Sequence, residues 1–263
     1  MANLDSNKAS DGALILVGLG PGDPDLLAPG AAAALEGADV VVGFRGYMDQ
    51  IGSMTTGKEL VSMELGQELE RASRAVDLAS AGRTVAVVSS GDAGVYGMSG
   101  PVFRVLTERN WDGQHPQVVT VPGVSALQSA AALLGSPLMQ DFCAISLSNL
   151  LTPWETIVRR LEGAAAGDFV VALYNPRSRR RDWQLLEARR ILLEHRPGDT
   201  PVGLVREAYR DDQNITITTL GDLDVKYADV DMFTTVIIGN STSYVLSGKM
   251  VTPRGYEEKS RPE

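Results

Sequence analysis

The sequence predicts an α/β protein made of two α/β domains, and three observations carry that prediction. Short apolar runs that end in glycine or serine recur along the chain, as in Ala13–Gly18 (ALILVG) and Thr84–Ser89 (TVAVVS), the pattern of strands buried on both faces. Alanine-rich or amphipathic stretches of helical length separate these runs. The chain also has 263 residues, near the size at which a single hydrophobic core gives way to two.

In chain order, the strand Ala13–Gly18 leads to an alanine-rich helix over Leu26–Gly37 and a second strand over Asp39–Gly43. Leu65, Leu69, Ala72, Val76 and Ala79 recur at spacings of three and four and mark one face of a helix closed by Gly82, since residues at that spacing share a helix face. Strands follow at Thr84–Ser89 and Val118–Val121. The second half predicts a small-residue helix over Ser125–Leu134, a strand at Ala144–Leu147, a helix over Trp154–Ala166, a strand at Phe169–Tyr174 and a helix over Trp183–His195. Val202–Arg206, Ile215–Leu220 and Thr234–Ile238 read as strands, and their Thr/Ile alternation predicts some antiparallel pairing. The domain boundary is expected at Pro122-Gly123, giving domains over 13–122 and 123–256, a disordered lead over 1–12 and a loose tail over 257–263.

Composition excludes several classes. Hydrophobic residues are 44% and charged residues 22% of the chain, which is globular rather than disordered or fibrous. The apolar runs are too short to span a bilayer, and the N-terminus lacks the basic-then-apolar pattern of a secretory signal, so no membrane partner and a cytoplasmic location are expected. One cysteine, Cys143, and two histidines, His115 and His195, rule out an internal disulfide framework and argue against a metal site. A net charge of −9 argues against nucleic-acid binding, which favours a basic surface.

Three glycine-bearing loops follow predicted strands. Gly18-Leu19-Gly20-Pro21-Gly22-Asp23 sits where a dinucleotide fingerprint would lie, but Asp23 occupies the third glycine position. A carboxylate there would repel a pyrophosphate. The competing reading is a tight turn with Asp23 as N-cap. Ser89 to Gly97 (SSGDAGVYG) surrounds Asp92 with glycines, where open α/β sheets bind ligands; its competing reading is an exposed turn capped by Asp92. Pro122-Gly123-Val124-Ser125-Ala126 is the third junction. A phosphate-binding Walker sequence and a G-x-S-x-G nucleophile elbow are both absent, so neither phosphoryl transfer nor serine hydrolysis is supported.

Four arginines, Arg177, Arg179, Arg180 and Arg181, fall within five residues after the strand Phe169–Tyr174. Guanidinium forks match carboxylates bidentately, so this stretch reads either as a clamp for a polycarboxylate or as a solvated helix start. Arg45 is a lone candidate of the same kind.

The loops together resemble the tetrapyrrole methylase family, the class III S-adenosylmethionine methyltransferases. The matching stretches are VGLGPGDPDLL (17–27), SSGDAGVYG (89–97), VPGVSALQSAAA (121–132) and TTVIIGNST (234–242). ALYNPRSRRR (172–181), GKMVTPRGY (248–256) and VGFRGYMDQI (42–51) are similar to the branch of that family that methylates carbon 17 of precorrin-3B and contracts the ring to precorrin-4 in cobalamin synthesis. The resemblance implies two domains with a cleft between them, a homodimer, and S-adenosylmethionine as the methyl donor. By motif, donor contacts are expected from Pro21, Gly91, Asp92, Ala93, Gly94, Val95, Ser125, Ala126, Leu173, Tyr174, Asn175, Thr234, Thr235 and Val236. Contacts to the tetrapyrrole substrate are expected from Gly20, Arg45, Arg177, Arg179 and Arg180. Asp23, Tyr47 and Asp92 are candidates for moving protons during ring contraction. Many family members carry proline after the aspartate of the second loop; this chain has Ala93, which predicts a less rigid loop. The rival readings are another tetrapyrrole methylase (of cobalt-factor III or of uroporphyrinogen), a nicotinamide-dependent oxidoreductase, and a non-catalytic binder of small anions.

Overall fold

The computed structural model describes residues 12–256. Residues 1–11 of the lead expected over 1–12, and the tail over 257–263, lie outside the described residues, while Gly12 is placed, its carbonyl accepting from the Gln117 amide. The chain divides after Ala126, the first residue of the helix that opens the second unit, into two compact units, so the loop Pro122–Ser125 stays with the first.

In the first unit, β1 (Ala13–Gly18), α1 (Pro29–Gly37), β2 (Val40–Phe44), α2 (Arg45–Ile51), β3 (Glu59–Met63), α3 (Glu68–Ser80), β4 (Thr84–Ser89), α4 (Ser99–Glu108) and β5 (Gln117–Val121) follow one another. The five strands form one all-parallel sheet in the order β3-β2-β4-β1-β5. Parallel strands need helical crossovers that cover both faces. Here α3 and α4 cover one face through Ala72, Ala75, Val76, Ala79, Val102, Val105 and Leu106. On the other face Ala31 and Leu35 of α1 and Met48 and Ile51 of α2 pack against Ile15, Val17, Val41, Ala86 and Val88.

The second unit contains α5 (Ala126–Leu134), β6 (Gly135–Ser136), β7 (Phe142–Ser146), α6 (Trp154–Ala166), β8 (Val170–Tyr174), α7 (Gln184–Leu193), β9 (Pro201–Arg206), β10 (Asn214–Thr219), β11 (Thr234–Ile238), β12 (Tyr244–Leu246) and β13 (Lys249–Val251). Its main sheet runs β10-β9-β11-β8-β7. Only β7 and β8 are parallel, and β8, β11, β9 and β10 alternate in direction, as the Thr/Ile alternation predicts. One face packs on α6 and α7 through Ile157, Leu161, Leu185 and Leu192; the other packs on α5 and Met250. A small sheet of β12, β13 and β6 completes the unit. Arg196, buried after α7, donates to the carbonyls of Gly239, Ala164 and Phe169. Burial lowers its pKa from the ordinary arginine value.

Three expectations need correction. The first helix begins at Pro29, because Ala28 ahead of that proline is extended (φ −60°, ψ 139°) and Pro24–Leu26 form a separate 3-10 turn, as the residue before a proline avoids helical geometry. In α3 the buried face starts at Arg71 and Ala72. Leu65, 54% exposed, precedes the helix and is set off from it by the Gly66 turn (φ +93°), and Leu69, in the first turn of the helix, is 45% exposed. α2, β3, α4 and the short strands β6, β12 and β13 have no counterpart among the expected elements.

Candidate functional site

The carboxyl ends of β1, β4 and β5 lie side by side in the first sheet, and the three glycine loops leave from them. Gly20 and Gly91 pair across the first two loops: the Gly20 amide donates to the Gly91 carbonyl at 3.0 Å and the Gly91 amide to the Gly20 carbonyl at 2.7 Å. Both residues sit at positive φ (72° and 67°), a conformation glycine adopts without steric cost. Gly123 of the third loop packs into the same knot. A methyl on it would stand 2.3 Å from the Gly91 carbonyl oxygen and 2.6 Å from the Gly18 carbonyl carbon.

Asp92 fastens two of the loops. One carboxylate oxygen accepts from the Gly94 amide at 2.8 Å and the other from the Gly123 amide at 3.0 Å. Ala93 is fully buried among the residues under α3 and α4, and its carbonyl accepts from the Ser99 amide. The loop is thus anchored at the residue where the family often has proline. Val95 is 37% exposed. Pro21 is buried. Asp23 caps the Pro24–Leu26 turn through the Asp25 amide at 2.9 Å, so the N-cap reading of this residue holds. Arg45 opens α2 and is exposed, and Tyr47 is half-buried edge-on to Phe44 at 5.2 Å between ring centroids. Buried Ser125 and then Ala126 lead into α5, against the backbone of Gly91.

In the second unit, Val236 stands opposite Leu173. Tyr174-Asn175 and Thr234-Thr235 therefore leave the β8–β11 ladder at the same end. Leu173 and Val236 are fully buried within the core on α6 and α7, so only their backbone atoms are left for a ligand. Side chains alternate along a strand, which puts Tyr174 and Thr235 on the face toward α5. The Tyr174 hydroxyl accepts from the Leu127 amide at 2.9 Å in the first turn of α5. Asn175, at φ 53°, donates through Nδ2 to Ser146 Oγ at 3.0 Å. Thr234 is tied to Asp231 at 2.9 Å, and Arg206 Nε donates to the same carboxylate at 2.8 Å. Buried Thr235 makes no side-chain hydrogen bond among the described residues.

The structure separates the arginines that the sequence groups. Arg177 Nη1 donates to the carbonyls of Tyr227 (2.9 Å), Ala228 (3.1 Å) and Val230 (3.3 Å), and its guanidinium lies 4.4 Å above the Tyr227 ring. The Tyr227 hydroxyl reaches the Asp182 carbonyl. Arg181 donates to the Asn175 carbonyl at 2.7 Å and to Ser148 Oγ at 3.3 Å, and burial lowers its pKa. Arg179 and Arg180, exposed at the tip of the Ser178–Arg181 turn, make no hydrogen bond or ion pair among the described residues. Which guanidinium braces and which stays free has no signal in a run of like residues. No group of three or more His, Cys, Asp or Glu suited to a metal ion, and no helix long and apolar enough to cross a membrane, occurs among the described residues.

Known proteins resemble this chain in sequence and in fold. The family model "Tetrapyrrole (Corrin/Porphyrin) Methylases" matches residues 13–224. The chain is 47% identical to the "Cobalt-factor III methyltransferase" of Priestia megaterium, covering 94% of this chain and 46% of that protein, so it spans about half of that relative's length. It is 44% identical to the "Probable cobalt-factor III C(17)-methyltransferase" of Salmonella typhimurium, covering 92% of this chain and 99% of that one. It is 39% identical to the "Precorrin-3B C(17)-methyltransferase" of a Sinorhizobium species, covering 95% of this chain and 99% of that one. The crystal structure of the methyltransferase CobJ superposes with a TM-score of 0.87 at 37% identity, covering 92% of this chain and 100% of that one. A uroporphyrin-III C-methyltransferase of Thermus thermophilus, complexed with S-adenyl homocysteine, gives 0.69 at 26% identity, covering 87% of this chain and 97% of that one. With the glycine knot and the two-unit α/β architecture in place, these matches show that the chain belongs to the tetrapyrrole (corrin/porphyrin) methylase family.

Proposed function

We propose that this protein is an S-adenosylmethionine-dependent C-methyltransferase of cobalamin biosynthesis that methylates carbon 17 of precorrin-3B and contracts the ring to precorrin-4. The observation that carries this reading is near-complete alignment with proteins named for carbon-17 methyl transfer, over 99% of their lengths. A second reading, the same step on the cobalt-bearing ring, is favoured by the higher identities to the proteins named for cobalt-factor III, 47% and 44% against 39%. The protein acts in this reading as a cytoplasmic homodimer.

The residues present fit the donor. In the first unit, the knot of Gly18, Gly20, Gly91 and Gly123 brings bare backbone to a strand-end surface, with no Cβ to hold a ligand away from it. When bound, S-adenosylmethionine supplies an electrophilic methyl group on sulfur, so no protein nucleophile is needed. The chain's task is to hold the acceptor carbon in line and keep water out, and positioning of this kind can contribute on the order of 7–11 kcal/mol. Asp92, with both oxygens on backbone amides, positions the donor loop. Asp23 keeps one carboxylate oxygen without a partner among the described residues and is our choice for proton movement during contraction.

Anaerobic incubation with S-adenosylmethionine and either precorrin-3B or cobalt-factor III, followed by mass spectrometry, tests the proposal. One added methyl on a contracted ring is expected. A methylated product with its ring uncontracted, or no methyl transfer to either ring, overturns it. The faster of the two substrates decides between the two readings.

A further inference from the structure

Leu150 and Leu151, in the loop between β7 and α6, are 82% and 93% exposed, more than any other large hydrophobic among the described residues. Water is a poor solvent for such side chains, and two adjacent leucines this open call for a partner. Their surroundings identify it. Ser148 Oγ accepts from Arg181 Nη1 at 3.3 Å, and Asn149 Oδ1 accepts from Gln184 Nε2 at 3.2 Å. Trp154 and Trp183 pack edge-to-face at 4.8 Å between the far ends of the same two segments. These ties hold the leucine loop beside the Ser178–Arg181 turn, whose tip carries the unpartnered guanidiniums of Arg179 and Arg180. Both segments leave the strand ends of β7 and β8, where Tyr174-Asn175 and Thr234-Thr235 emerge.

We infer that Leu150-Leu151 and Arg179-Arg180 form one substrate surface: the leucines take the apolar face of the macrocycle and the guanidiniums take its carboxylate rim. This rests on the proposed function. The surface fits such a molecule, an apolar plane fringed with acids; a purely apolar or a purely anionic partner would use only half of it. Arg177 and Arg181 brace the turn and are not part of the contact.

Two double variants test it, Leu150→Ser with Leu151→Ser, and Arg179→Ala with Arg180→Ala. Binding is read with uroporphyrin III, a stable polycarboxylate tetrapyrrole, by fluorescence quenching. KM is read with precorrin-3B, donor affinity by calorimetry, and oligomeric state by sedimentation. Each pair should weaken uroporphyrin binding and raise KM about tenfold or more, the scale of losing two charge-assisted contacts or one apolar wall. Donor affinity should stay within about twofold. Salt should weaken binding to the wild type and to the leucine variant but much less to the arginine variant. Unchanged uroporphyrin binding in either variant overturns the inference, and so does a changed sedimentation coefficient in the leucine variant, which would assign the leucines to a second copy of the chain. Wild-type protein that binds uroporphyrin yet methylates no tetrapyrrole overturns the proposed function and leaves the surface standing.

Discussion

Gly123→Ala is the sharpest perturbation of the loop knot. The added methyl would lie 2.3 Å from the Gly91 carbonyl oxygen and 2.6 and 2.7 Å from the Gly18 carbonyl carbon and oxygen. Comfortable contact needs about 3.5 Å, so some atoms must retreat by about an ångström. All of them are backbone, and none can rotate away. Retreat of Gly91 pulls on its two hydrogen bonds to Gly20, each worth about 0.5–1.5 kcal/mol net. Overpacking itself costs roughly 1–3 kcal/mol. The sum is about 2–6 kcal/mol, a large fraction of the roughly 5–15 kcal/mol that holds a typical protein folded. The assay is urea unfolding of the variant beside calorimetric titration with S-adenosylmethionine. A lower midpoint and weakened donor binding are expected. Gly163→Ala is the control: an exposed site in α6 with open space for the methyl, it should raise stability by about 0.5–1 kcal/mol and leave donor binding alone. If Gly123→Ala unfolds at the wild-type midpoint and binds the donor normally, the reasoning about the knot is wrong.

Asp92→Ala should weaken donor binding and cost about 1–3 kcal/mol, because the amides of Gly94 and Gly123 both lose their acceptor; calorimetry with unchanged affinity would refute the positioning role. Arg177→Lys should lower the thermal midpoint with little change in the KM for precorrin-3B, since a lysine cannot both span three carbonyls and lie flat over the Tyr227 ring; a large KM rise without destabilisation would return Arg177 to the substrate clamp. The carboxyl of Asp112 is held down to about 2 by the His115 amide and side chain and the Gln114 amide. A carboxylate with a depressed folded-state pKa stabilises above its unfolded value and loses that contribution as pH falls through the folded one, so this turn should weaken between about pH 4 and pH 2. Carboxyl NMR titration checks it, and His115→Ala should move the Asp112 midpoint upward.

Elements whose local sequence and tertiary setting agree were legible from the chain alone. β1 and β4 match their predicted bounds because each is built round an apolar, buried run, β11 because its β-branched residues are buried throughout, and α6 because its buried positions keep a helical period between proline and glycine. β3 leaves no clear pattern because Glu59–Met63 is an edge strand with mostly exposed side chains, and α2 leaves none because it is only 7 residues long and carries Gly46 in its first turn. The expected helix face starts too early: Leu65 lies beyond the Gly66 turn and Leu69 in the first helical turn, ahead of the buried stretch that opens at Arg71 and Ala72. The glycine loops of the candidate site were legible as motifs, but their stitching through Gly20, Gly91 and Gly123 depends on strand order, which no local pattern encodes. The division between bracing and free arginines depends on Tyr227, which lies 50 residues from Arg177 in the chain.

The order β3-β2-β4-β1-β5 has a consequence for how the protein emerges from a ribosome. β1 and β2 are made first but never touch as neighbours, because β4 threads between them. Until synthesis passes Ser89, the nascent chain has two apolar ribbons and no native rung to join them. Pairings of this range form slowly and leave edges open meanwhile, so chains arrested before that point should be captured by holding chaperones, and chains released beyond Val121 should escape them.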